Sequence, residues 1–263
     1  MSPCEPRRLD AAVADTTGLT RSQARALILA GKVRIDDAPA TKPGASVRDG
    51  ARVAVESPPR YVGRGGEKLE GALAAFALDV RGADALDVGA STGGFTDALL
   101  QHGARAVTAL DVGYGQIAWK LRVDPRVTVI ERTNARTLAD DAFPSGFDVI
   151  AIDASFISLR AILPRAAAYL RERGAVVALV KPQFEAGRDR VRGGVVRDPA
   201  VHAAVLRDVR DAVRERGLRT VDVAVSPLRG PAGNVEFFYL IRRDGDEIDD
   251  ARIDAAVAEA HVS

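Results

Sequence analysis

The sequence predicts an α/β chain: a doubly wound, mostly parallel sheet with its last strand antiparallel, preceded by a small α+β module. Three observations carry this. From Gly66 onward, strand-length apolar runs alternate with helical patterns. Most of those runs are apolar throughout, as strands covered by helices on both faces are. The last two, Thr220–Val225 and Val235–Ile241, are separated only by Ser226–Asn234, too short for a crossover helix, so they pair as a hairpin.

The elements follow in order. Leu9, Val13 and the alanines between them fit one short helix. Thr20 caps a second, RSQARALILA, with Gln23 three residues on as in a capping box, and Gly31 ends it. Lys32–Ile35 and Ala51–Val55 read as strands separated by turn residues. Residues 1–55 can bury only a small core, which suits an adaptor better than a catalytic unit. Residues 56–65, with Pro58-Pro59, read as linker, and residues 66–263 as the main domain. There the expected order is helix Glu67–Leu78, strand Ala85–Val88, helix Phe95–His102, strand Ala106–Leu110, a short helix Ile117–Leu121, and strands Val127–Ile130 and Phe147–Ile152. Helix Leu159–Arg171, strand Ala175–Val180 and a long helix Pro199–Arg216 precede the hairpin.

Composition narrows the function. The 263 residues contain one cysteine and three histidines without ligand spacing, which argues against a disulfide framework or a metal enzyme. The longest clean apolar run, Ala72–Leu78, is far too short to span a membrane, and MSPCEPRR lacks a signal-peptide core. The expected setting is cytoplasmic. The net charge of +1 hides an uneven distribution: residues 1–66 carry 11 Lys/Arg against 7 Asp/Glu, and residues 244–263 carry 7 acids against Arg252. A basic head suits a polyanionic partner.

Asp87-Val-Gly89-Ala-Ser-Thr-Gly93-Gly94 sits at a strand end and opens a helix, where open α/β sheets bind ligands. Counting from Gly89, the middle glycine of G-x-G-x-x-G falls on Ser91, which lowers the dinucleotide reading. Asp87, before the first glycine, suits a methionine amino group better than a pyrophosphate. Asp111, ending the next strand, is placed for ribose hydroxyls. Asn134 could reach an adenine or cap the next turn. S-adenosylmethionine fits this set best, and a mostly parallel Rossmann-like sheet with one reversed strand is distinctive of class I methyltransferases.

Asp153 and Lys181 lie just past strand ends, Glu236 begins the reversed strand at the same rim, and Lys68 lies on the helix leading in. Methyl transfer to a ribose 2′-hydroxyl needs a group that orients or deprotonates a poor nucleophile. A lysine serves if it can shed a proton; a second ammonium favours that, while carboxylates oppose it and hold the amine in place. Lys181 is assigned as base or orienting group, with Asp153, Glu236 and Lys68 tuning and positioning it.

DVGASTGGFTD, DVGYGQIAW, ERTNAR, SFISL, VKPQFE and GNVEFF together resemble the TlyA ribosomal RNA 2′-O-methyltransferases, often labelled haemolysin A, whose catalytic domain is of FtsJ type. The head is similar to an S4 RNA-binding domain. The resemblance implies a Lys-Asp-Lys-Glu tetrad at Lys68, Asp153, Lys181 and Glu236, and cofactor contacts at Gly89, Ser91, Gly93, Asp111 and Asn134. Asp87 and Phe95 of the same loop motif join the expected cofactor site. The implied reaction is cytidine ribose methylation in small- and large-subunit rRNA, linked in the family to capreomycin sensitivity. Arg7, Arg21, Arg25, Lys32 and Lys42 are the expected phosphate contacts of the head. The chain departs from the family pattern at Arg60-Tyr61-Val62, where a tryptophan is usual, and at Gly66-Glu67, which replaces Ala-His. A monomer is expected. Competing readings are a nicotinamide-dependent oxidoreductase and a non-catalytic RNA-binding protein; a pore-forming cytolysin is rejected for want of a spanning segment.

Overall fold

The computed structural model describes residues 7–56 and 59–262. The chain divides into two compact units, Met1–Pro59 and Arg60–Ser263. Residues 60–65, read as linker in the sequence, fall in the second unit, where the Tyr61 ring is buried against its core.

The first unit contains β1 (Arg7–Arg8), α1 (Leu9–Thr17), α2 (Arg21–Leu29), β2 (Val33–Ile35), β3 (Ala38–Pro39), β4 (Ser46–Val47) and β5 (Val53–Val55). Leu9, Val13, Ala24, Ile28, Val33 and Val47 form its core. The Thr20 capping box forms as expected, and β2 pairs antiparallel with both β3 and β5. The two-residue strands β1, β3 and β4 were not legible, because a period of two needs more residues to declare itself.

The second unit opens with α3 (Gly65–Ala75), β6 (Asp84–Val88), α4 (Gly94–Gln101), β7 (Ala106–Leu110), α5 (Trp119–Arg122) and β8 (Val127–Ile130). It continues through β9 (Phe147–Ile152), α6 (Leu159–Ala167), β10 (Leu170–Val180), the single turn α7 (Pro182–Glu185), α8 (Pro199–Arg214), β11 (Arg219–Val225), β12 (Phe237–Arg242) and α9 (Asp250–Val262). The strands form one sheet in the order β11-β12-β10-β9-β6-β7-β8. β12 is antiparallel to both neighbours, and β6 to β10 run parallel. The sheet is therefore doubly wound with one reversed strand, as the hairpin argument requires. Helices cover both faces, so Ile150, Ala151, Ile152, Val176, Val177 and Val180 are all fully buried.

One segment corrects the sequence reading, and one adds to it. The helix expected to reach Arg171 ends at Ala167, and Leu170 instead begins β10 opposite Phe147, with a bulge before Ala175. Pairing to the sheet outweighs the helical character of Arg171-Glu172-Arg173. The acidic terminus is helix α9, which buries Ile253, Ala256, Val257 and Ala260 while Asp250 and Asp254 meet Arg207 and Arg210 of α8. Among the described residues, no helix is long and apolar enough to cross a membrane.

Candidate active site

The strand ends decide which side chains meet. β6 and β9 run parallel in register, Val88 beside Ile152, and the Asp153 amide donates to the Val88 carbonyl (2.9 Å). β10 and β12 run antiparallel with Val180 opposite Phe237, so the next residues outward, Lys181 and Glu236, face each other across the strand ends. Asp153, Lys181 and Glu236 thus reach one rim because of register.

The four expected catalytic side chains form two ion pairs. Lys181 Nζ lies 2.5 Å from Asp153 Oδ1 and donates to Ser155 Oγ (2.8 Å). Lys68 of α3 pairs with Glu236; their side chains are 8% and 1% exposed. A Cβ at Gly65, at the start of α3, would stand 3.7 Å from Asp153 Oδ2, so α3 brings the second pair beside the first. Two buried ammonium groups matched one to one with carboxylates leave no uncompensated charge, the condition under which buried ions are tolerated. Ser155 was missed in the sequence reading; its SFISL context was its only signal.

Beside the tetrad lies a cleft of about 520 Å³, lined by Gly89, Ser91, Asp111, Gln116, Thr133, Asn134, Asp153 and Ser155 among others. Gly89 has φ +86°, and a Cβ there would stand 2.6 Å from the Asp153 carbonyl oxygen, so only glycine lets the β6 and β9 strand ends approach this closely. Asp111 organises the wall: Oδ2 accepts from the Ser91 amide (2.7 Å) and Oδ1 from the Gly113 amide (2.6 Å). Asn134 caps a 3₁₀ turn through the Arg136 amide while lining the cleft, so both roles considered for it are compatible.

Three expected cofactor residues stand behind the wall. Gly93 is the left-handed residue that starts α4, packed beneath Leu121. Phe95 is 3% exposed with its ring 6.1 Å from Phe238, because its position on α4 faces the sheet. Asp87 is fully buried; Oδ2 accepts from the Thr96 amide (2.9 Å) and hydroxyl (2.7 Å), while Oδ1 has no partner. Burial, reinforced by the Asp153 and Asp111 carboxylates, pushes the Asp87 carboxyl up to about 7.

In the first unit, Asp10 receives hydrogen bonds from Arg8 and Arg21, with Arg25 3.4 Å away. Arg7 pairs with Asp15 and Lys32 with Glu56, so four of the five expected phosphate contacts already have an acidic neighbour. Lys42 is exposed.

The sequence profile described as FtsJ-like methyltransferase matches residues 61–243. The chain belongs to this family. An S4 domain profile matches residues 7–53. The chain is 50% identical over 234 residues to the 16S/23S rRNA (cytidine-2′-O)-methyltransferase TlyA of Mycobacterium tuberculosis, covering 87% of each. It is 40% identical to hemolysin A of Brachyspira hyodysenteriae, over 83% of this chain and 92% of that one. Among solved structures, one titled as a hemolysin from Streptococcus thermophilus is 42% identical with a TM-score of 0.75, covering 98% of this chain and 97% of that chain.

FtsJ-like methyltransferases use S-adenosylmethionine, and the cleft fits it. The Asp111 and Asp153 carboxylates both act on buried Asp87, and acids gathered in this way favour a cationic sulfonium over a pyrophosphate. Asp87 Oδ1, buried behind this wall, is a polar atom that the protein alone leaves without a partner. Gly89, Ser91, Asp111 and Asn134 would hold the ligand from the wall.

Proposed function

We propose that this chain transfers a methyl group from S-adenosylmethionine to the ribose 2′-hydroxyl of cytidine in small- or large-subunit ribosomal RNA, or in both. The observation that carries the reading is the pair of buried lysines, each matched to a carboxylate, with Asp153 belonging to both the tetrad and the cofactor cleft. A ribose hydroxyl is a poor nucleophile and needs a group to orient it and take its proton. The name borne by the Mycobacterium tuberculosis relative supports this substrate.

When bound, the cofactor supplies an electrophilic methyl group. Lys181 Nζ orients the acceptor hydroxyl toward it. Asp153, 2.5 Å from that amine, is the carboxylate next in line for the proton the hydroxyl sheds. The Lys68–Glu236 pair holds α3 and the start of β12 in place and keeps the pocket electrically balanced. Phe156, 91% exposed at the cleft mouth, guards the target base. The S4 head contacts phosphates through Arg7, Arg21, Arg25, Lys32 and Lys42. All four tetrad residues come from one chain, which suits a monomer, and a ribosomal substrate suits the cytoplasm.

The test is transfer of labelled methyl onto purified ribosomal subunits, followed by digestion to nucleosides. Label in 2′-O-methylcytidine is expected. Label in a base-methylated nucleoside, or none on either subunit, contradicts the reading.

A further inference from the structure

SFISL and the part of VKPQFE beyond Lys181, which the tetrad does not account for, meet at a buried carboxylate. Glu185 ends α7, the single turn that begins directly after Lys181, and its side chain is 3% exposed. Its Oε2 accepts from the Ser158 hydroxyl (2.6 Å), its Oε1 accepts from the Leu159 amide (2.5 Å), and Arg160 Nε stands 3.4 Å from Oε2. Arg160 also donates to the Glu185 carbonyl (3.3 Å). Burial raises the Glu185 carboxyl, and the bonds from Ser158 and Leu159 oppose that rise.

The segment between these anchors borders the cleft through Asp153, Ser155 and Phe156. Lys181 holds its beginning, through Asp153 and Ser155, and Glu185 holds its end, through Ser158 and Leu159. Lys181 and Glu185 are joined by one helical turn, with the Phe184 amide donating to the Lys181 carbonyl (2.9 Å). The loop is therefore fastened at both ends to one short rigid piece. Between the fastenings Phe156 adopts φ +64°, a left-handed conformation that a non-glycine residue keeps only when its surroundings impose it. Its ring meets Phe184 at 5.2 Å, and these two aromatics, with Gln183, Gly187 and Val191, border a second hollow of about 430 Å³, which shares Phe156 with the cofactor cleft.

We infer that Glu185 is a positioning residue for methyl transfer: it locks the 153–158 loop so that Asp153 and Ser155 stay against Lys181 and Phe156 stays at the border of both hollows. This rests on the proposed role of Lys181. A carboxylate suits the task because it accepts from an amide and a hydroxyl at once. A glutamine can accept from the Leu159 amide and turn its own NH₂ toward Ser158 Oγ, so it retains most of the lock.

The test measures single-turnover methyl transfer onto ribosomal subunits, cofactor affinity by calorimetry, and backbone hydrogen exchange of residues 153–158, for the wild type, E185A, E185Q and K181A. Displacement of reacting groups by about 1 Å can cost about 100-fold, so E185A is expected to lose at least about tenfold in the transfer rate, with cofactor affinity within about twofold and faster exchange in the loop. E185Q is expected to return to within about threefold of wild type. Should E185A fail to fold, S158A, which cuts one of the two bonds, is expected to lose about threefold or more. An E185A or S158A protein with the wild-type rate overturns the inference, as does an E185A loss of rate that only tracks lost cofactor binding or that E185Q does not restore. If K181A also transfers at the wild-type rate, the proposed catalytic role fails as well; if K181A is dead while E185A is unimpaired, only the inference does.

Discussion

The two units handle positive charge in opposite ways. In the first, one buried carboxylate, Asp10, serves three arginines, Arg8, Arg21 and Arg25, whose side chains stay 51%, 61% and 59% exposed. Arg8 above all, together with Arg21, holds the Asp10 carboxyl well below the usual range, so it remains an anion that gathers a surplus of exposed cations. In the second, two buried lysines are each matched by one carboxylate. The first arrangement leaves a positive surface suited to a polyanion and open to screening by salt. The second is neutral overall and shielded, suited to holding one amine against one hydroxyl. Exposure and stoichiometry, more than the number of basic residues, separate a binding surface from a chemical site.

The comparison is broken most directly at Lys181. The Lys181→Ala variant is expected to lose about 100-fold or more in single-turnover transfer, while calorimetric affinity for S-adenosylmethionine stays near wild type. A variant that kept its rate would leave the buried pairs with no chemical role. Next comes Glu236→Ala, which strands the Lys68 ammonium in the interior. Urea denaturation should register a loss of about 3–5 kcal/mol, the usual consequence of removing one partner of a buried pair. Removing an exposed partner in the first unit, as in Asp15→Ala, should cost well under that.

A third outcome concerns Asp87. Its folded-state carboxyl sits at about 7, above the value near 4 of an unfolded chain. The folded form therefore binds the extra proton between those values, so this group's stabilisation is complete below about pH 4 and is lost as pH rises through 7. Asp87→Asn should flatten that part of the stability profile in thermal melts from pH 4 to 8. The smallest effects belong to the head. Arg21→Ala and Arg25→Ala should each weaken RNA binding modestly and reduce the slope of log affinity against log salt by about one, where the tetrad variants leave that slope unchanged.

Much of this was legible in the sequence. β7, β8 and β9 have the boundaries read from Ala106–Leu110, Val127–Ile130 and Phe147–Ile152, because mostly apolar runs end at polar or turn residues. The reversed strand followed from the length of one loop. Helix α9 was not legible, because its buried face has only Ile253 and Val257 beside two alanines and its acids resemble a solvated tail. At the site, Asp153 and Lys181 declared themselves as polar residues past apolar strands. Ser155 and Glu185 did not, because a serine or glutamate in a loop looks like surface until packing reveals its partner. Phe95 shows the reverse error: membership of a cofactor loop says nothing of which way a side chain turns.

The most direct measurement is a map of ribose methylation on rRNA from cells lacking the gene, complemented with either the wild-type chain or K181A. A 2′-O-methyl mark on cytidine that returns with the wild type and stays absent with K181A is the predicted result. A mark restored equally by both would contradict the assignment of Lys181 as the group that readies the hydroxyl.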